Sequence, residues 1–170
     1  MRPVYGRSPW IQQLPKRRVP VFPRLKGHIE AEVVVIGGGL TGCLTAYACA
    51  AAGIDVVLLE ADRIGQGASG GAAGWITDTP PLSFVASDAA LGRRSATHAW
   101  QAWRRAALDF QALLRRLGTP CGLDERPTLT IAQTAEQAAL LARERAKRTQ
   151  ASLDVSFVPS RAVATLAGCT

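Results

Sequence analysis

The stretch Ala31–Glu60, AEVVVIGGGLTGCLTAYACAAAGIDVVLLE, decides the fold. It opens on a β-branched run, Val33–Ile36, which predicts a strand buried on both faces. Gly37, Gly39 and Gly42 follow in G-x-G-x-x-G spacing and lead into an Ala-rich helix. A second apolar strand, Val56–Leu59, ends on Glu60. Strand, glycine turn, helix and strand in this order predict a Rossmann-like βαβ unit in an α/β fold. Gly37 permits the tight turn out of the strand. Gly39 has no Cβ, so a pyrophosphate can approach the helix N-terminus, where free N–H groups and the macrodipole favour an anion. Gly42, Ala46 and Ala50 recur every four residues, a small-residue stripe that lets the helix sit close on the sheet. Glu60 can accept two hydrogen bonds from a ribose diol and would repel a 2′-phosphate. The expectation is an adenine dinucleotide site for FAD or NAD rather than NADP. The bland alternative is a glycine-rich turn in an ordinary α/β protein.

At 170 residues the chain can bury a real core, and one domain is the prior. Its net charge of +7 raises nucleic acid as a partner. Yet Arg2, Arg7, Lys16, Arg17, Arg18, Arg24 and Lys26 all precede residue 31, against one acid, Glu30, so most of the excess lies in the leader. With no basic platform interleaved with aromatics, nucleic-acid binding is not expected. Cys43, Cys49, Cys121 and Cys169 show no metal-ligand spacing, so no metal site is expected, and Cys43 and Cys49 read as small buried residues. A reducing, cytoplasmic setting is the default. Val33–Ile54 carries no charge and is long enough to imitate a membrane span. Its glycines at dinucleotide spacing and its Thr41, Thr45 and Tyr47 favour a soluble reading.

Residues 1–30 form a basic leader in which Pro3, Pro9, Pro15, Pro20 and Pro23 preclude a long helix. Trp10, Ile11, Leu14, Val21 and Phe22 are too apolar for a purely solvated tail. The expectation is an extended arm laid over the domain and anchored by Trp10 and Phe22; a disordered tail is the alternative.

After Glu60 comes a second glycine-rich run, Gly65-Gln-Gly67-Ala-Ser69-Gly-Gly71-Ala72-Ala73-Gly74-Trp75. An NAD dehydrogenase has no need of it, whereas a flavoprotein must also cradle the isoalloxazine end of its cofactor. The turn Gly37–Gly42, Glu60 and the run Gly67–Gly74 together resemble the D-amino-acid oxidase and glycine oxidase superfamily of FAD-dependent oxidoreductases. The likeness is strong over Ala31–Trp75 and is one of pattern beyond.

The resemblance implies FAD as cofactor, with Gly37, Gly39, Leu40, Thr41 and Gly42 at the pyrophosphate and Glu60 and Ala61 at the adenosine ribose. It places Gly67 and Ser69 at the phosphate region, and Ala73 and Gly74 near the flavin ring. Many members have Arg-Asn where this chain has Gly71-Ala72, a departure that removes polar contacts on the flavin side. A flexible linker is the alternative for 65–74. The implied reaction is hydride transfer from an amine or amino acid to flavin, with an imine that hydrolyses.

Arg93–Leu117 reads as a long amphipathic helix with Trp100, Trp103, Ala107, Phe110, Leu114 and Leu117 on one stripe. Arg93/Arg94, Arg104/Arg105 and Arg115/Arg116 recur every eleven residues, about three turns, on the opposite face. A docking role for that basic face is weighed against a solvated one, which is the simpler reading; His98 reads as a surface residue. Gly118 and Pro120 stop the helix. Thr128–Ile131 and Val155–Val158 read as strands. Ala135–Arg148 reads as a helix with Glu144 placed to pair with Arg148, and Pro159-Ser160 opens a last helical turn ending near Gly168. By resemblance, residues 31–92 form the FAD-binding segment and 93–170 begin a substrate domain. Family members are longer and Thr170 brings no closure, so a fragment is expected. No catalytic acid or base is identifiable. An NAD-linked Rossmann enzyme and an inactive dinucleotide-binding fragment remain as alternatives.

Overall fold

The computed structural model describes residues 8–167. Pro3, Gly168, Cys169 and Thr170, which figure in the sequence reading, lie outside them. The described chain divides into two compact units at Trp75/Ile76.

The first unit opens with a short helix α1 (Pro9–Gln13) and a 3-10 turn at Lys16–Arg18. Pro9 sits in the first turn, where a missing N–H costs nothing. The prolines thus cut the leader into short pieces. Strand β1 (Val33–Ile36) pairs in parallel with β2 (Val56–Leu59), Val33 opposite Val56 and Ile36 opposite Leu59. Helix α2 (Leu40–Ala51) makes the crossover. Among the described residues the sheet has two strands. The βαβ unit therefore forms, but β1 is not buried on both faces. Val34 is 53% and Ile36 86% exposed, because no other described element covers that side. Of the small-residue stripe, Gly42 and Ala46 are partly buried and Ala50 is exposed. Of the two expected anchors, Trp10 donates its indole N–H to the Ala72 carbonyl, whereas Phe22 is 67% exposed.

After α3 (Ala68–Gly71), the second unit is helical: α4 (Phe84–Leu91), α5 (Arg93–Arg116), α6 (Ala135–Gln150) and α7 (Ser160–Ala167). Its core is Phe84, Ala96, Trp100 and Ala107. The Phe84 and Trp100 rings meet edge to face at 5.5 Å and 89°, a favoured arrangement for two quadrupoles. The Trp100 indole donates to Ser87 Oγ at 3.2 Å, which in turn donates to the Ser83 carbonyl at 2.9 Å. Neither polar group is orphaned.

The start of α4 shows how tertiary structure overrides local pairing. Ser83 Oγ accepts from the Ala86 N–H at 3.1 Å as a helix cap. Glu144 Oε1 and Oε2 accept from the Phe84 and Val85 N–H groups at 2.7 and 2.9 Å. Glu144 therefore does not pair with Arg148 along α6. Two converging amides at a helix N-terminus hold a carboxylate more firmly than one exposed ion pair. Arg148 instead stacks on Trp100, 5.0 Å from the ring centroid, and donates to the Asp154 carbonyl.

Helix α5 forms where the periodicity places it. Gly118, with φ +59, lets its N–H reach the Arg115 carbonyl and that of Thr119 reach Leu114, a Schellman ending. Arg104 pairs with Asp154 and Arg115 with Glu125, so the basic face is partly neutralised. Thr128–Ile131 and Val155–Val158 form no strands. β-branched residues favour extension, but a strand exists only against a partner, and neither segment has one here.

Candidate functional site

The first glycine turn is built by backbone meeting backbone. The Gly37 N–H donates to the Leu59 carbonyl at 2.7 Å, which extends the β1–β2 ladder by one bond. Gly37 then turns with φ +104, a conformation that L side chains rarely adopt. A Cβ on Gly42 would lie 1.9 Å from the Gly37 carbonyl oxygen. The first turn of α2 thus sits directly on the end of β1, with its leading N–H groups beyond the reach of intrahelical acceptors.

Gly38, which the spacing argument passes over, is the buried member of the turn. A Cβ there would meet Ile64 Cδ1 at 2.3 Å and Glu60 at 3.2 Å. Its N–H donates to Glu60 Oε2 at 2.6 Å, and the Asp62 N–H donates to Oε1 at 2.9 Å. The bond from Asp62, and then that from Gly38, hold the Glu60 carboxyl below the usual carboxylate range. Each carboxylate oxygen still has a lone pair for another donor.

The lowered pKa fixes the sign of a pH effect. The stabilisation is complete above the ordinary carboxylate range and is lost as pH falls through the lowered native value. Acid should therefore lower the Tm of the wild-type chain more steeply than that of Glu60→Gln. Parallel Tm-against-pH curves would contradict the arrangement.

The second glycine run touches the first. The Gly65 N–H donates to the Gly38 carbonyl at 2.8 Å, and the Leu40 N–H donates to Ser69 Oγ at 2.8 Å. A Cβ on Gly39 would lie 3.1 Å from the same Ser69 oxygen. Gly65, Gly67 and Gly70 repeat the G-x-G-x-x-G spacing. The geometry is repeated too, since a Cβ on Gly70 would lie 2.3 Å from the Gly65 carbonyl oxygen. That repeat was the available sequence signal for the second turn.

Of the predicted residues, Gly37, Gly39, Leu40, Gly42, Glu60 and Ser69 are thus linked around the first turn. Thr41 lies in the first turn of α2, its carbonyl accepting from Thr45 Oγ1 at 2.9 Å. Ala61 follows Glu60 at the surface, Gly67 caps α3 with open space beside it, and Ala73 is exposed. Gly74 lies against the Trp10 ring, its Cβ position 3.4 Å from Cζ2. The Cys43 thiol donates to the Gly38 carbonyl at 3.6 Å. Among the described residues no group of three or more His, Cys, Asp or Glu could hold a metal. No helix among them is long and apolar enough to cross a membrane.

Comparison with known proteins bears on this geometry. The family model for FAD dependent oxidoreductase matches residues 32–168. The chain is 46% identical over 65 residues to "Probable oxidoreductase OrdL" of Rhizobium meliloti (strain 1021), covering 38% of this chain and 15% of that protein. It is 55% identical over 49 residues to the gamma-glutamylputrescine oxidoreductase of Escherichia coli (strain K12), covering 29% of this chain and 12% of that one. The matched stretches are thus a small part of either relative's length. No solved structure gives a significant match.

Proposed function

The chain belongs to the FAD dependent oxidoreductase family, and from that premise we propose that it carries the FAD-binding part of an enzyme that oxidises an amine or amino acid. The observation that supports this most is the double glycine cradle. Gly42 cannot carry a Cβ without striking the Gly37 carbonyl, and Ser69 ties the second turn to the first amide of α2. Such a cradle admits a pyrophosphate against backbone N–H groups. In this reading Gly37, Gly39, Leu40, Thr41 and Gly42 hold the pyrophosphate. Glu60, fixed by the Gly38 and Asp62 amides, offers its free lone pairs to the ribose diol, with Ala61 beside it. Gly67 and Ser69 lie along the phosphates, and Ala73 and Gly74 towards the ring.

The protein residues bind and orient; bound FAD would supply the acceptor for a hydride, which carries both electrons of the oxidation. The amine or amino-acid class comes from the family and from the name of the putrescine-derivative relative. Residues 1–30 act as an arm, 31–92 as the FAD-binding segment of an α/β Rossmann-like fold, and 93–170 as part of a substrate domain. The free thiols Cys43, Cys49 and Cys121 suit a reducing cytoplasm.

A visible absorption titration tests the reading. FAD should give a perturbed flavin spectrum, NAD should not compete, and Glu60→Ala should weaken FAD about tenfold or more, the worth of a lost charge-assisted hydrogen bond or two. Binding of NAD in preference to FAD, or of neither, would overturn it.

A further inference from the structure

We infer that Trp10, on the N-terminal arm, is a positioning residue that sets the second glycine turn against the first. Its indole N–H donates to the Ala72 carbonyl at 2.8 Å. Three carbons of its ring lie 3.4–3.8 Å from where a Gly74 Cβ would stand. The next residue, Ile11, brings Cδ1 to 3.1 Å from the Cβ position of Gly70. One turn of α1 therefore grips the second run at three places, Gly70, Ala72 and Gly74.

That run needs an external grip. Helix α3 is only four residues long, far below the length at which a helix holds itself. Four of the eight residues Gly67–Gly74 are glycine, so ordering it costs more backbone entropy than ordinary sequence. Its one side-chain link to the first turn is Ser69 Oγ, which accepts from the Leu40 N–H. A tryptophan serves this role well. It offers a broad rigid face to residues without side chains, and one directional donor to a carbonyl that the short helix leaves free. The consequence is a relay from Trp10 through Ala72 and Ser69 to the first amide of α2.

Hydrogen exchange of the cofactor-free chain tests the relay directly. The Leu40 amide depends on Ser69, whereas the Val57 amide lies in the β1–β2 ladder and serves as reference. Trp10→Ala should speed Leu40 exchange about tenfold, the worth of one hydrogen bond, and leave Val57 unchanged. Trp10→Phe keeps the ring over Gly74 but not the donor, and should fall between. Unchanged Leu40 exchange would overturn the inference. So would equal acceleration at Val57, which would mean general loosening rather than positioning.

A second arm rests on the proposed FAD reading: Trp10→Ala should weaken FAD about tenfold, with partial recovery in Trp10→Phe. Unchanged affinity would break the link to the cofactor, and tighter binding would make the arm an obstruction instead. If the wild-type chain bound no FAD, the functional reading would fail while the exchange measurement still decided the role of Trp10.

Discussion

Gly42→Ala is expected to cost more stability, and more FAD affinity, than alanine at Gly38 or Gly39. Two effects oppose each other at this site. Gly42 lies inside α2, where alanine favours the helix by roughly 0.5–1 kcal/mol. Against that, the new methyl would stand 1.9 Å from the Gly37 carbonyl oxygen and 3.1 Å from its carbon. Overpacking typically costs about 1–3 kcal/mol, and here the obstacle is backbone, which cannot turn aside as a side chain can. Gly37 is itself pinned, its N–H bonded to Leu59 and its φ at +104. Relief must come from pushing α2 off β1, which moves the amides proposed to hold the pyrophosphate. The clash wins. At Gly38 the nearest obstacle is the terminal methyl of Ile64, and at Gly39 it is Ser69 Oγ at 3.1 Å; both can give way. Denaturant unfolding and FAD titration of the three variants should rank Gly42→Ala last in both. Equal stability and affinity for Gly42→Ala and wild type would refute the close approach.

The same contrast between local and distant constraint explains what the sequence disclosed. The βαβ unit was legible because its causes are neighbours in the chain: a β-branched run, glycines at fixed offsets, an apolar strand ending on Glu60. Helix α5 was legible through its period, and its end through Gly118. Thr128–Ile131 has the residue types of a strand, but pairing depends on a partner that composition cannot supply. Glu144 has the right offset from Arg148, yet the α4 N-terminus, sixty residues earlier, offers it two amides. Phe22 and Trp10 look alike as apolar arm residues. Only Trp10 finds both a flat glycine surface and a carbonyl to receive its N–H. At the site, the sequence pointed to Glu60 as an acceptor, but not to its being oriented by Gly38 and Asp62, since that depends on where the turn brings the backbone.

Phe84→Ala should remove a large part of the stability of the second unit while leaving the glycine turns intact. Phe84 is the largest fully buried side chain among the described residues, and the buried apolar residues clustered with it are few: Ala96 and Trp100. Truncating a buried phenylalanine costs about 3–5 kcal/mol, part transfer and part cavity. A marginal unit has only about 5–15 kcal/mol in all. The polar contacts at this position belong to the backbone N–H, bonded to Glu144, and survive the change. The loss is therefore one of packing, chiefly against the edge of Trp100. Phe84→Leu fills most of the space and should lose less than half as much. Tryptophan fluorescence during denaturation would follow Trp100 and Trp103 in this unit. Every residue assigned to the cofactor lies at or before Gly74. At a temperature where Phe84→Ala stays folded, its FAD affinity should therefore equal that of wild type. A fall in affinity of tenfold or more would mean that the cofactor site depends on the helical unit, and the assignment to the glycine turns alone would have to be given up.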